Sequence, residues 1–173
     1  MYHNYTRYKI LQVFFDQPNK QFQLRQLSRI TTISLPSVKH HVEWLYNHHL
    51  LIKTHEGVYE GYKASLTQQY KILKRNDLLL RLETTGLIQT VENKCTPNCI
   101  ILYGSAVQGT DDERGDIDIF IQSRKYQIPL TQYEQQLHRT IHLLFEPNIS
   151  KINKEMKNTL ANGIIVSGYY VVV

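Results

Sequence analysis

The sequence predicts an α+β protein: three short helices and a β-hairpin, a helical connector, and a small C-terminal α/β domain with a mixed sheet. Three observations carry this. Apolar residues between Tyr5 and Tyr46 recur every three or four positions, the helical period, and two short strand-like runs follow on either side of Glu56-Gly57. A Leu-rich stretch then runs to Asn93 with a single interruption at Gly86. From Asn98 onward, short apolar runs alternate with helical stretches. The expected boundaries are 1–64, 65–94 and 95–173.

In the first segment, Tyr8, Ile10, Leu11 and Phe14/Phe15 mark a helix that ends at Gln17-Pro18-Asn19. Leu24, Leu27 and Ile30 mark a second helix, and Thr31-Thr32-Ile33 a turn. Ser34 is placed to cap a third helix, with Pro36 in its first turn and Val38, Val42 and Leu45 on its buried face. Leu50-Leu51-Ile52 begins a strand, and Val58 to Lys63 returns antiparallel.

In the connector, Leu66, Leu73, Leu78-Leu79-Leu80, Leu82 and Leu87-Ile88 exceed one narrow stripe. That surplus makes the connector a candidate homodimer interface as well as a packing element.

The C-terminal part reads as strands at Cys99–Tyr103, Ile117–Gln122, Thr140–Phe145 and Ile164–Val173. A short helix is expected after Gly104-Ser105, with longer ones over Thr131–His138 and Ile149–Leu160, the last ending at Asn162-Gly163. The stretch IILYGSAVQGTDDERGDIDIFIQS, Ile100 to Ser123, holds the chemistry. Side chains alternate along a strand, so Asp116 and Asp118 share one face while Ile117, Ile119 and Ile121 enter the core. Two carboxylates about 6–7 Å apart repel unless a cation sits between them. A hard divalent cation such as Mg²⁺ carrying nucleotide phosphates meets that need. Gly104 permits close backbone approach to a phosphate, and Ser105 opens a short helix whose free N–H groups favour an anion.

The 173 residues are 42% apolar with a net charge of +5. Lys9, Lys20, Lys39, Lys53, Lys63, Arg7, Arg25 and Arg29 stand against Asp16, Glu43, Glu56 and Glu60 before residue 66, so most of the positive charge lies there. Such a balance suits a polyanion, with nucleic acid the first candidate. The polar and aromatic start, Met1 to Tyr8, lacks a signal-peptide core, and no apolar run is long enough to span a bilayer. A cytoplasmic protein is expected, with no membrane partner. Cys95 and Cys99 have no further cysteine to complete a zinc site; a disulfide and two ordinary thiols both remain open.

The Gly-Ser turn followed by apolar-Asp-apolar-Asp-apolar resembles the signature of the DNA polymerase beta-like nucleotidyltransferases, and more narrowly their minimal stand-alone branch. The resemblance implies that Gly104 and Ser105 hold a nucleoside triphosphate and that Asp116 and Asp118 bind Mg²⁺. It also implies a third carboxylate on a later strand. Residues Phe22 to Lys63 resemble the winged-helix repressors of bacteria and archaea. That resemblance implies a third helix, with Ser34 at its start, that enters the major groove and presents Ser37, Lys39, His40, His41 and Trp44. The wing would offer Lys53, His55 and Tyr59, although Glu56 and Glu60 would repel phosphate.

Three departures stand against the nucleotidyltransferase pattern. His142, between Ile141 and Leu143, occupies the place of the third carboxylate, and Glu146 lies about 13 Å further along an extended strand. Val107-Gln108-Gly109 replaces a frequent Ala-Arg-Gly, which leaves Arg114 as the substitute basic contact. Gly115 replaces a frequent Ser. The catalytic candidates are therefore Asp116, Asp118, Glu146 and His142. Histidine is a poor Mg²⁺ ligand but a competent general base. The leading function is transfer of a nucleoside monophosphate from Mg²⁺–NTP to a hydroxyl on a protein or small molecule. The alternatives are a non-catalytic DNA-binding regulator with a nucleotide-binding or degenerate C-terminal domain, and the antitoxin of a toxin–antitoxin pair, with a toxin-like protein as partner.

Overall fold

In the computed structural model, residues 5–56 and 59–171 are described. The first apolar stripe forms α1 (Thr6–Asp16), followed by α2 (Leu24–Thr31) and α3 (Leu35–Asn47). Gln23 and Gln26 close a reciprocal capping box at the start of α2, which satisfies two otherwise orphaned N–H groups. Ser34 does occupy the N-cap position of α3, but its hydroxyl makes no capping hydrogen bond. Strands β1 (Leu51–Glu56) and β2 (Tyr59–Ala64) pair antiparallel, with Leu51 opposite Ala64. Phe22 adds a bridge to Tyr62, each N–H donating to the other's carbonyl at 2.8 Å. The core of this part gathers Ile10, Phe14, Phe22, Leu27, Val38, Val42, Leu45 and Tyr70. The expected Gly57 turn and Val58 lie outside the described residues.

The connector is two helices, α4 (Gln68–Thr84) and α5 (Leu87–Cys95), broken at Gly86, whose φ of +76° suits glycine. The chain divides into two compact units, Met1–Lys74 and Arg75–Val173, and the division falls inside α4. Tyr70 belongs to the first unit's core, whereas Leu78, Leu82, Leu87, Ile88 and Val91 belong to the second's. Most of the leucine surplus is thus used within the units.

In the second unit, β3 (Cys99–Tyr103), α6 (Ser105–Gln108), β4 (Ile117–Ile121), α7 (Thr131–Leu137), β5 (Ile141–Phe145), α8 (Lys154–Ala161) and β6 (Ile164–Gly168) follow in order. The sheet is mixed, in the order β5-β4-β3-β6. β3 pairs antiparallel with both β4 and β6, and β4 pairs parallel with β5. One face, through Ile100, Leu102, Ile117, Ile119 and Ile121, packs with α5 and α7 residues such as Val91 and Leu137. The other buries Cys99, Ile101 and Phe120 against Leu160 of α8.

In this unit two elements differ from the expectation by more than a residue at one end. The stretch 149–160 is not one helix: a 3-10 turn over Ile149–Lys151 gives way to α8, because the Asn153 side chain accepts from Met156 N–H and starts a new helix there. β6 stops at Gly168 instead of running on. Its φ is +73°, and Tyr169 N–H turns back to donate to the Asn98 carbonyl. Cys95 and Cys99 are free and buried, and burial raises the Cys99 thiol to about 11. Among the described residues no helix is long and apolar enough to cross a membrane.

Candidate functional site

The acidic site sits where β3 ends and β4 begins. Gly104 leaves β3 with φ +81° and ψ −159°, a region open to glycine. A Cβ there would lie 2.7 Å from Asp118 Oδ2, so the bare backbone is what lets the Asp118 carboxylate lie against the turn. Ser105 is exposed and begins the four-residue α6. Asp118 lies opposite Tyr103 across the antiparallel pair. Burial, with the Asp118 charge beside it, raises the Tyr103 phenol, which stays neutral. Ile117, Ile119 and Ile121 are buried as alternation requires, and Asp116 and Asp118 are both half-buried.

The parallel pairing of β4 and β5 brings His142 to the two aspartates. Asp118 stands in register with His142, and His142 Nε2 lies 3.1 Å from Asp116 Oδ2. The imidazole is 59% exposed, open to a ligand from solvent. Glu146 is elsewhere. It follows β5 at the opposite end, where its N–H donates to the Ile121 carbonyl and its carboxylate accepts from Asn148 N–H. Ile121 lies three positions beyond Asp118, about 10 Å of strand. The structure thus places Glu146 in a turn at the far end of β5, away from Asp116 and Asp118.

Arg114 is exposed on the loop before Asp116, and its backbone N–H donates to Asp112 Oδ1. With Glu113, Asp116, Thr131, Gln135 and His138 it lines an open cleft of about 540 Å³. Arg139 escaped the sequence reading altogether. It carries no motif, yet it holds the Asp116 loop through three acceptors, the Gly115 and Asp116 carbonyls and the Asp111 carboxylate. Only a buried arginine beside a buried aspartate would have hinted at it, and burial is not visible in a loop sequence.

Among the described residues no three His, Cys, Asp or Glu side chains are close enough to cage a metal. The donor set is two carboxylates beside a glycine turn. That suits a Mg²⁺ that arrives with its nucleotide, because such an ion takes one or two carboxylates and fills its remaining positions from phosphate and water.

In the first unit, Lys39 and His40 are exposed on α3, with Arg25 and Arg29 exposed on α2. Ser37 is half-buried and Ser34 exposed. Two expected contacts are turned to other uses. Trp44 is half-buried between the Arg7 guanidinium, 3.7 Å from its ring, and the His48 ring, stacked at 3.5 Å. His41 is also half-buried, and burial lowers its pKa, with Arg7 and His40 adding repulsion. In the hairpin, Lys53 Nζ lies 3.1 Å from Glu60 and His55 lies 3.9 Å from it. Tyr59 is exposed.

No curated protein and no solved structure matches the chain. A family model described as "Polymerase beta, Nucleotidyltransferase" matches residues 86–172. That span is half of the chain and holds the Gly104 turn, both strand aspartates and β5 with His142. The chain therefore belongs to the polymerase beta nucleotidyltransferase family.

Proposed function

We propose that the second unit binds a nucleoside triphosphate with Mg²⁺ and transfers its nucleoside monophosphate to a hydroxyl. The observation that carries this is the placement of the Asp118 carboxylate against Gly104, with Asp116 two residues before it and in contact with His142, the residue in register with Asp118. Asp116 and Asp118 would hold the metal, and Gly104 and Ser105 would seat the phosphates. The metal, when bound, neutralises triphosphate charge. His142 donates from Nε2 to Asp116, which leaves Nδ1 to accept a proton. The acceptor oxygen then bonds to the α-phosphorus, its proton passes to His142, and the bond to pyrophosphate breaks with its electron pair leaving on oxygen. Calorimetry with each NTP, with and without Mg²⁺, tests the binding. Asp116→Asn with Asp118→Asn should abolish the metal-dependent part; equal binding by the double variant would sink the reading.

A second reading is favoured by His142 itself. A site with an imidazole at the third position can bind a nucleotide and not turn it over, as a regulator would. The N-terminal unit supports that role, since α2 and α3 expose Arg25, Arg29, Lys39 and His40, and Arg25 and Lys39 line one cleft with Tyr59 and Glu60 of the hairpin. We read this unit as a winged helix that binds duplex DNA as a homodimer. Its affinity should fall steeply with salt, because phosphate contacts release counterions. Pyrophosphate release under conditions where Mg²⁺–NTP binds separates the two readings.

A further inference from the structure

We infer that Arg139 is the positioning residue that aims the Asp116 carboxylate, an inference that rests on the Mg²⁺–NTP reading above. Arg139 stands between α7 and β5 with its side chain 11% exposed. Nε donates to the Gly115 carbonyl at 2.7 Å, and Nη2 to the Asp116 carbonyl at 3.0 Å. Nη1 donates to the Asp111 carboxylate, itself only 2% exposed. All three acceptors lie on the loop that delivers Asp116 to β4. Immediately beyond it, Ile117 N–H donates to the Thr140 carbonyl, next in sequence to Arg139. The backbone at Asp116 is thereby gripped on both sides, which leaves the carboxylate directed at His142 and the Asp118 face.

Gly115 completes the grip. A Cβ at this position would lie 3.0 Å from Arg139 Nη2, 3.1 Å from Asp111 Cβ and 3.3 Å from the Asp112 carbonyl. The residue that departs from the frequent serine is the one that makes room for the guanidinium. A planar fork with five donors can hold three acceptors at fixed angles; a lysine ammonium on the same stem is a point charge and cannot.

The test compares the full chain with Arg139→Lys. The probe is Mn²⁺ alone, read by paramagnetic broadening of the His142 ring signals. Affinity for each NTP without metal, and melting temperature, are measured alongside. Arg139→Lys keeps a cation for Asp111 but leaves two carbonyl acceptors unmet, so its melting temperature should fall by a few degrees while the chain stays folded. Its Mn²⁺ affinity should fall about 10- to 100-fold, as when an outer partner of a metal ligand is lost. Its metal-free NTP affinity should not change. Unchanged Mn²⁺ affinity overturns the inference. Should Arg139→Lys fail to fold, Asp111→Asn is read in the same way: weakened Mn²⁺ binding supports the clamp and unchanged binding overturns it. A parent protein that neither shows Mn²⁺ broadening nor binds NTP in a Mg²⁺-dependent way overturns the underlying reading along with the clamp. A parent that binds while the variants bind equally overturns the clamp alone.

Discussion

An imidazole beside Asp116, in register with Asp118, changes what two carboxylates can support. A third carboxylate would add negative charge and hard oxygen donors for a second ion. His142 instead ties up one oxygen of Asp116 and offers a nitrogen, a poor donor to Mg²⁺. His142→Asp should therefore raise Mg²⁺ affinity, by about tenfold, since ligand charge count tunes divalent affinity over decades. Calorimetric titration of Mg²⁺ in the presence of NTP checks this, and lower affinity would place the metal away from β5. At this scale the sequence was informative wherever strand parity decides the outcome. Asp116, Asp118 and His142 fall where alternation and register put them. Glu146 shares that parity, yet only the pairing with Ile121 shows that it sits at the wrong end. Arg139 was illegible because its three acceptors become neighbours only once the loop and β5 are assembled.

At the scale of elements, period and punctuation located the helices and strands well. β3 is as expected because four consecutive buried residues end in a glycine turn. α8 was misjudged because Asn153, an ordinary polar residue in a helical stretch, is a capping residue there. Trp44 and His41 show the same limit on α3, since their outward spacing does not reveal that α1 brings Arg7 over them. If the first unit binds DNA as proposed, the hairpin carries its own restraint on that binding. Glu60 pairs with Lys53, and that hydrogen bond is the main cause of a raised Lys53 pKa, so the lysine stays charged but partly neutralised. Glu60→Gln should free it and strengthen DNA binding, steepening the salt dependence by up to about one counterion. Lys39→Ala, on an exposed cation, should weaken binding and flatten that dependence. Filter binding across a salt series measures both, and a Glu60→Gln variant with unchanged slope would remove the hairpin from the interface.

Across the whole molecule, each unit has its own apolar core, and the family match covers only the second. The first unit has a built-in response to acid. His41 in the fold resists protonation, while the unfolded chain takes a proton near the ordinary 6.5. The unfolded state then binds more protons, so stability is full above 6.5 and falls as the pH drops toward the lowered native value. His41→Gln should flatten that decline, and thermal melts across a pH series would show it. The same corner of α3 has an optical consequence. The chain contains a single tryptophan, and it is the ring held between Arg7 and His48. Emission excited at the red edge of the indole band therefore comes from the first unit alone, whatever the state of the tyrosines in the second. A titration with Mg²⁺–NTP that moved this emission would signal, without any label, that an event beside Gly104 is felt at α3.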